Sequence, residues 1–311
     1  MIEYFFEQTS IEEIFTIKKH LNEKKQKLEI SNFDEPFLEY TQAVPLFDEV
    51  KRKAIQNENE KLANAAFVAK LYFHLFGNLA SYFSLLQNKK YKQSWDKLQD
   101  CLDDIYGIGK FVEIDKRMEL PILNKLLREY ERLYPYSVFV SSEYVITKSE
   151  CGICGKPMNS FECPHIKGNL YWGEVAYENI LEIKEVNAVA LVSNPEDKRC
   201  IIELSDDDRT EIEKFTMLDE FLKQDVYSFQ LFTVKDNKVF KRDNTIKKQG
   251  ANELCICGSG KKFKYCCKSK MYYEHHNYKI HLEDKVSFCL LLNITVRRSR
   301  QSGVARATCP D

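Results

Sequence analysis

Between Ser10 and about Leu133 the apolar residues recur at helical intervals, whereas beyond Pro135 they fall into short alternating runs. Ser10 with Glu13 three residues on has the form of a capping box, predicting a charged amphipathic helix to about Lys27. Leu62, Ala66, Ala69, Phe73, Phe76, Ala80 and Phe83 make one stripe, and Val68, Tyr72, Leu75, Leu79, Tyr82 and Leu86 fill the stripe beside it. A helix apolar on both stripes belongs inside a bundle. Tyr91 to Tyr106 predicts a further helix with Trp95, Leu98, Cys101, Leu102 and Ile105 inward, broken at Gly107 and Gly109. Leu120 to Leu133 is the last helix of this part, and Pro135 ends it.

After Pro135 the period changes. Strand-like runs cover Val138 to Val145, Leu181 to Val186, Ala188 to Val192 and Cys200 to Leu204, with a turn signal at Asn194-Pro195. Asp208 to Gln224 predicts one more helix, and Val226 to Val234 with Val239-Phe240 a closing hairpin. The expected fold class is α+β.

Composition sharpens this in two ways. The formal charge is −1, yet Lys241 to Lys270 carries nine basic residues against two acidic ones, and Glu203 to Asp225 nine acidic against three basic. Near-neutrality therefore conceals two opposed patches. Leu71 to Asn88 has no Asp, Glu, Lys or Arg, but His74, Asn78, Ser81, Ser84, Gln87 and Asn88 would be costly in hydrocarbon, so a buried helix is expected and no membrane span. Lysine is absent after Lys285 while Arg297, Arg298, Arg300 and Arg306 crowd the end, so about the last 20 residues are expected to be an ill-ordered extension, recently joined or produced by readthrough.

Cysteine is the unusual residue, with 11 in 311. An odd count, a start without a basic n-region or apolar core, and a Lys-rich composition favour the reducing cytosol, where clustered thiols first suggest metal. Seven fall in two clusters. Cys151-Gly-Ile-Cys154, then Cys163-Pro-His165, supplies two thiolates from one tight turn and a second pair of tighter spacing, and suits a structural Zn²⁺. Buried unmetallated thiols and a redox Cys-x-x-Cys are the alternatives. Cys200 is a reserve ligand for His165, and Cys101 and Cys200 otherwise read as small core residues. The second cluster, Cys255-Ile-Cys257-Gly-Ser-Gly-Lys261-Lys262-Phe263-Lys264-Tyr265-Cys266-Cys267, sets thiols at both ends of a flexible turn, with metal bonding in place of a core.

At these residues the chain resembles the SEC-C motif family, named for the extreme C-terminus of the SecA preprotein translocase ATPase. Cys255, Cys257, Gly258, Ser259, Gly260, Lys261, Lys262, Phe263, Lys264, Cys266 and Cys267 follow its pattern place by place, with Cys267 where the translocase has His and Asn252-Glu253-Leu254 where Asn-Asp-Pro is usual. The resemblance implies a zinc module that docks on a protein partner; in the translocase it binds an export chaperone and lies near the ribosome. The stretch from about Tyr130 to Cys200 also looks like an uncharacterised bacterial group that pairs a Cys-x-x-Cys…Cys-x-His module with this motif.

The expected organisation is a helical domain over 1–136, an α+β domain with the first cluster over 137–242, a linker over 243–252, the SEC-C motif over 253–270 and a disordered tail over 271–311. Two structural zinc ions are expected, with Lys261, Lys262, Lys264 and Lys268 steering an acidic protein partner and Phe263 and Tyr265 as aromatic anchors. Nucleic acid or ribosome binding is the second reading, since alternating Lys and aromatic residues contact phosphates and stack on bases. A third places the chain in a bacterial defence or mobile-element system by family association alone. No catalytic motif stands out: His20 reads as solvated, His74 as a core histidine, Asp206-Asp207-Asp208 as helix-dipole acids, and His275, His276 and His281 as tail residues.

Overall fold

The computed structural model describes residues 1–33, 38–113, 119–158, 160–203, 208–224, 226–242, 250–255, 259–268, 272–286 and 288. The architecture is α+β: a helical bundle and two cysteine-rich insertions carried on antiparallel ribbons, with the strands of the described residues in two-stranded sheets. Two compact units separate, Met1–Ser228 with the described residues from Val286 on, and Phe229–Lys285.

The first unit is built on α1 (Ile2–Glu7), α2 (Glu12–Glu29), α3 (Leu38–Gln56), α4 (Glu60–Gln87), α5 (Tyr91–Phe111) and α6 (Leu120–Glu131). Helix α4 is the central one: Asn59 caps it by accepting from the Leu62 N–H at 3.0 Å, and residues on both stripes are buried. No helix among the described residues is long and apolar enough to cross a membrane. Two sequence expectations change here. Ser10 does not cap α2, whose N-cap is Ile11, one residue later than that box requires, while the Glu13 carboxylate pairs with Lys53 of α3. Nor do the glycines break α5: at Gly107 a Cβ would stand 3.3 Å from Leu71 Cδ1, so the missing side chain lets α4 and α5 approach. Lys25, in the helix expected to be charged and amphipathic, is buried, donating to the Tyr72 hydroxyl at 2.8 Å and pairing with the buried carboxylate of Glu119.

Beyond the bundle, β1 (Phe139–Cys151) and β4 (Glu178–Val192) form one long antiparallel ribbon, with β2 (Leu170–Tyr171) and β3 (Glu174–Val175) a small hairpin between them. At its base Phe139 stacks on Trp95 of α5 at 6.3 Å, and the Val140 N–H donates to the Cys200 carbonyl. Of the run Cys200 to Leu204, expected as a strand, the described residues 200–203 contribute the bridge Phe139–Ile201, and Leu204 lies outside the described residues. Leu181 to Val186 and Ala188 to Val192, expected as separate strands, are one, interrupted by bulges that leave Asn187, Lys184 and Leu181 unpaired. Because paired residues share a side, these bulges keep Leu191, Val189, Val186 and Ile183 in line with Val140, Tyr144 and Ile146.

The helix expected over 208–224 is two, α7 (Glu211–Lys214) and α8 (Thr216–Leu222), bent at Phe215. Thr210 and Glu213 close a full capping box on α7. Both helices rest on the bundle: Phe215 meets Tyr91 and Tyr134, Phe221 meets Tyr130, and Tyr91 donates to Asp219 at 2.6 Å. These two helices thus join the bundle's core.

In the second unit β5 (Gln230–Arg242) runs without a turn through both halves of the expected hairpin, and its antiparallel partner is β6 (Tyr272–Lys285). Residues read as the start of a tail, His275, His276 and His281 among them, are therefore strand, paired with Val239, Lys238 and Thr233. The residues from 289 on, with Cys289 and Cys309, lie outside the described residues, as do Asp206 and Asp207.

Candidate metal centres

The first centre grows out of the end of the β1–β4 ribbon. Cys151 is the last residue of β1, and the chain turns at once: the Gly155 N–H donates to the Cys151 carbonyl at 2.8 Å and the Cys151 N–H to the Lys156 carbonyl at 2.7 Å. Gly155 takes φ +70°, which suits a residue without Cβ, and at Gly152 a Cβ would stand 2.9 Å from the Tyr177 ring. This turn puts Cys154 beside Cys151, and the loop returns Cys163 and His165 to the same spot.

All four ligand atoms lie within 4.8 Å of one another. Cys151 Sγ to His165 Nδ1 is 3.6 Å, Cys154 Sγ to Cys163 Sγ 3.7 Å, and Cys163 Sγ to His165 Nδ1 3.9 Å. A tetrahedron with metal–sulfur bonds of about 2.3 Å has edges of about 3.8 Å, so these spacings fit one ion. They are far from the roughly 2.05 Å of a disulfide, and the cysteines are free. Three thiols and an imidazole are a donor set suited to Zn²⁺.

The thiols are electrostatically unequal. Burial works against ionising Cys151, yet the backbone N–H groups of Cys154 and Ile153 and the thiols of Cys154 and Cys163 outweigh it and hold its pKa below the usual thiol value. Cys163 is shifted upward, by burial first and by the neighbouring thiols, against the His165 N–H. Of these two thiols, Cys151 is the one its surroundings favour as thiolate. A small apolar core of Cys151, Met158 and Ala176, with Ile153 and Tyr171 against it, backs the site. Cys200 is exposed and belongs to neither centre, because its backbone lies at the other end of the ribbon. Cys101 is buried on α5.

The second centre lies between β5 and β6. Cys255, Cys266 and Cys267 bring their sulfurs within 4.8 Å of one another, with Cys266 and Cys267 3.8 Å apart. Cys257 lies outside the described residues. The frame is a miniature hairpin: Leu254 bridges Lys262, the Cys255 N–H donates to the Lys261 carbonyl and the Phe263 N–H to the Glu253 carbonyl, both at 2.8 Å. Gly260 turns it with φ +69°, and a single 3-10 turn over Phe263–Tyr265 delivers the Cys pair. Ser259 Oγ stands 3.1 Å from Cys266 Sγ, a hydroxyl placed to donate to a thiolate.

The basic and aromatic residues here divide. Lys261, Lys262, Lys264 and Lys268 are exposed, and among the described residues none forms an ion pair. Tyr265 is 72% exposed with Lys264 Nζ 4.8 Å from its ring centre. Phe263, expected as a partner-binding anchor, is 2% exposed and packs on Cys255, as the buried hydrophobic side chain of the module's small core among the described residues. His74 is mostly buried and its pKa falls to about 4, through burial and then the Lys70 charge, as befits a core histidine.

Residues 252–269 match the SEC-C motif. No curated protein and no solved structure matches the chain.

Proposed function

We propose that this chain is a zinc-binding interaction protein, in which two structural Zn²⁺ ions hold two small modules and the basic SEC-C module docks on an acidic protein surface. The observation that carries the reading is the SEC-C match over residues 252–269 in a module whose lysines all face solvent. Cys151, Cys154, Cys163 and His165 would hold one ion, and Cys255, Cys257, Cys266 and Cys267 the other. Bound zinc supplies cross-links that hold short segments folded. Four thiolates around Zn²⁺ leave about two negative charges, which the surrounding lysines offset. What remains for recognition is Lys261, Lys262 and Lys264 with the exposed ring of Tyr265. Their role is steering and orientation, with affinity falling as salt rises.

The Lys264–Tyr265 pair also suits phosphate and base, so nucleic acid is the competing partner. Fluorescence anisotropy with a labelled glutamate-rich peptide and a labelled single-stranded DNA, at physiological salt, separates the two. The peptide is expected to bind the intact chain and lose at least 10-fold in affinity with Lys261→Glu and Lys262→Glu. Micromolar DNA binding abolished by the same pair, with the peptide silent, would replace this reading by the second.

A further inference from the structure

The ring of His165 has a further neighbour besides the sulfurs. Tyr171 meets it edge-on, with ring centres 4.8 Å apart at 77°, and the Tyr171 hydroxyl accepts the N–H of Ile166, the next residue, at 3.0 Å. One side chain on β2 thus fixes both the plane of the ligand and the backbone that carries it.

That strand is itself held from elsewhere. β2 and β3 are joined by the two-residue turn Trp172-Gly173, whose φ angles of +50° and +75° are those of a tight hairpin. The turn points its N–H groups at helix α4. Gly173 donates to Asn64 Oδ1 at 2.6 Å and Trp172 to Glu60 Oε1 at 3.2 Å, while Glu174 on β3 pairs with Lys51 of α3 at 2.8 Å. At Gly173 a Cβ would lie 2.7 Å from the Ala63 carbonyl oxygen, so only glycine allows this approach. Beside the turn is a cavity of about 290 Å³ lined by Phe47, Phe67, Leu71 and His74 as well as Gly173. The attachment therefore rests on a few directed polar contacts at the rim of a space, not on continuous packing.

We propose that the Trp172-Gly173 turn is a clasp coupling the first metal centre to the helical bundle: Glu60 and Asn64 hold the turn, the turn holds Tyr171, and Tyr171 orients His165 for the metal. Glu60, Asn64 and Tyr171 are then positioning residues for a centre that none of them ligates. The inference rests on the reading that the first cluster binds metal. By linkage the coupling works both ways, so loss of metal loosens the turn by the same factor that loss of the clasp weakens metal binding.

The test uses the full-length chain, with zinc transfer to a chelator followed by native mass spectrometry. A Cys266→Ser background isolates the first centre, and a Cys154→Ser background isolates the second. Asn64→Leu with Glu60→Ala should lower zinc affinity at the first centre about 10-fold, the effect expected for removing two hydrogen bonds, and leave the second unchanged. Asn64→Asp, which keeps an acceptor for the Gly173 N–H, should restore most of the affinity. In the reverse direction, Cys154→Ser should speed hydrogen exchange at the Trp172 and Gly173 amides about 10-fold, the factor by which the α4 variant weakens zinc binding. An α4 variant that frees these amides yet leaves zinc affinity unchanged would overturn the clasp, as would an equal loss at both centres. If Cys154→Ser leaves the zinc stoichiometry of the intact chain unaltered, the metal reading itself fails, and that result is distinct from either.

Discussion

Both cysteine clusters interrupt a long antiparallel ribbon, residues 152–177 between β1 and β4 and residues 243–271 between β5 and β6, yet the two insertions are built differently. The first has apolar residues of its own in Met158, Ala176, Ile153 and Tyr171, a hairpin, and an attachment to α4. Among its described residues the second gathers its sulfurs around Phe263 and little else. Burying one phenylalanine contributes roughly 1.5–3 kcal/mol, while ordering each residue costs about 1–2 kcal/mol of backbone entropy, so the second module cannot stand on its apolar contacts. A metal ion at these two sites would therefore play two roles, reinforcing a fold in one place and supplying it in the other.

Removing the metal should expose this contrast most strongly. In excess chelator, hydrogen-exchange protection at the amides of Cys255, Phe263 and Cys266 is expected to fall roughly 100-fold or more, while that in β1 and β4 falls far less. Equal loss in both modules would erase the distinction. Next in size, Phe263→Ala should weaken zinc retention at the second centre by about 10-fold or more, whereas Met158→Ala at the first should cost only a few-fold, read by chelator competition. Gly152→Ala, which drives a methyl toward the Tyr177 ring, is expected to destabilise the first module by about 1–2 kcal/mol and leave the second centre's metal content unchanged.

The smallest effect is a control in the helical bundle. Burial raises the Asp104 pKa to about 7, although the Asn78 amide donates to its carboxylate at 2.8 Å. Its unfolded pKa is near 4, so between about pH 4 and 7 the unfolded chain gives up this proton first and the group costs more stability as pH rises. Asp104→Asn should therefore melt a few degrees above the parent at pH 8, with the gap closing toward pH 4, and change the metal content of neither centre.

Chelation is local, which is why both clusters can be read from spacing: Cys151 to Cys154 and Cys266 to Cys267 are neighbours in any fold. Helix α4 is legible for a similar reason, since its two apolar stripes repeat within one segment. What the sequence hides depends on distant partners. Lys25 looks like a surface lysine until Tyr72 and Glu119, 47 and 94 residues away, enclose it. The bulges of β4 are invisible for a related reason, because a step of three between Val189, Val186 and Ile183 reads as irregular until the pairing absorbs the extra residue. The true partner of β5 lies beyond the whole SEC-C insertion, so adjacency in sequence pointed to the wrong strand. The clasp leaves one trace, the Trp172-Gly173 dipeptide between short strand residues, but nothing in it names Asn64.

The β1–β4 ribbon has about a dozen paired positions, a length of roughly 40 Å at the usual rise, comparable with helix α4. One end is stacked on Trp95 of α5 and the other is tied to the first turns of α4, while Ile183, Val186, Val189 and Leu191 between them stay exposed. In mechanical terms it is a beam clamped at both ends, and a two-stranded beam gains stiffness chiefly from its supports. Freed at Gly173, it would become a cantilever, and the four cysteine and histidine ligands at its tip would sweep an arc set by that length instead of resting on the bundle.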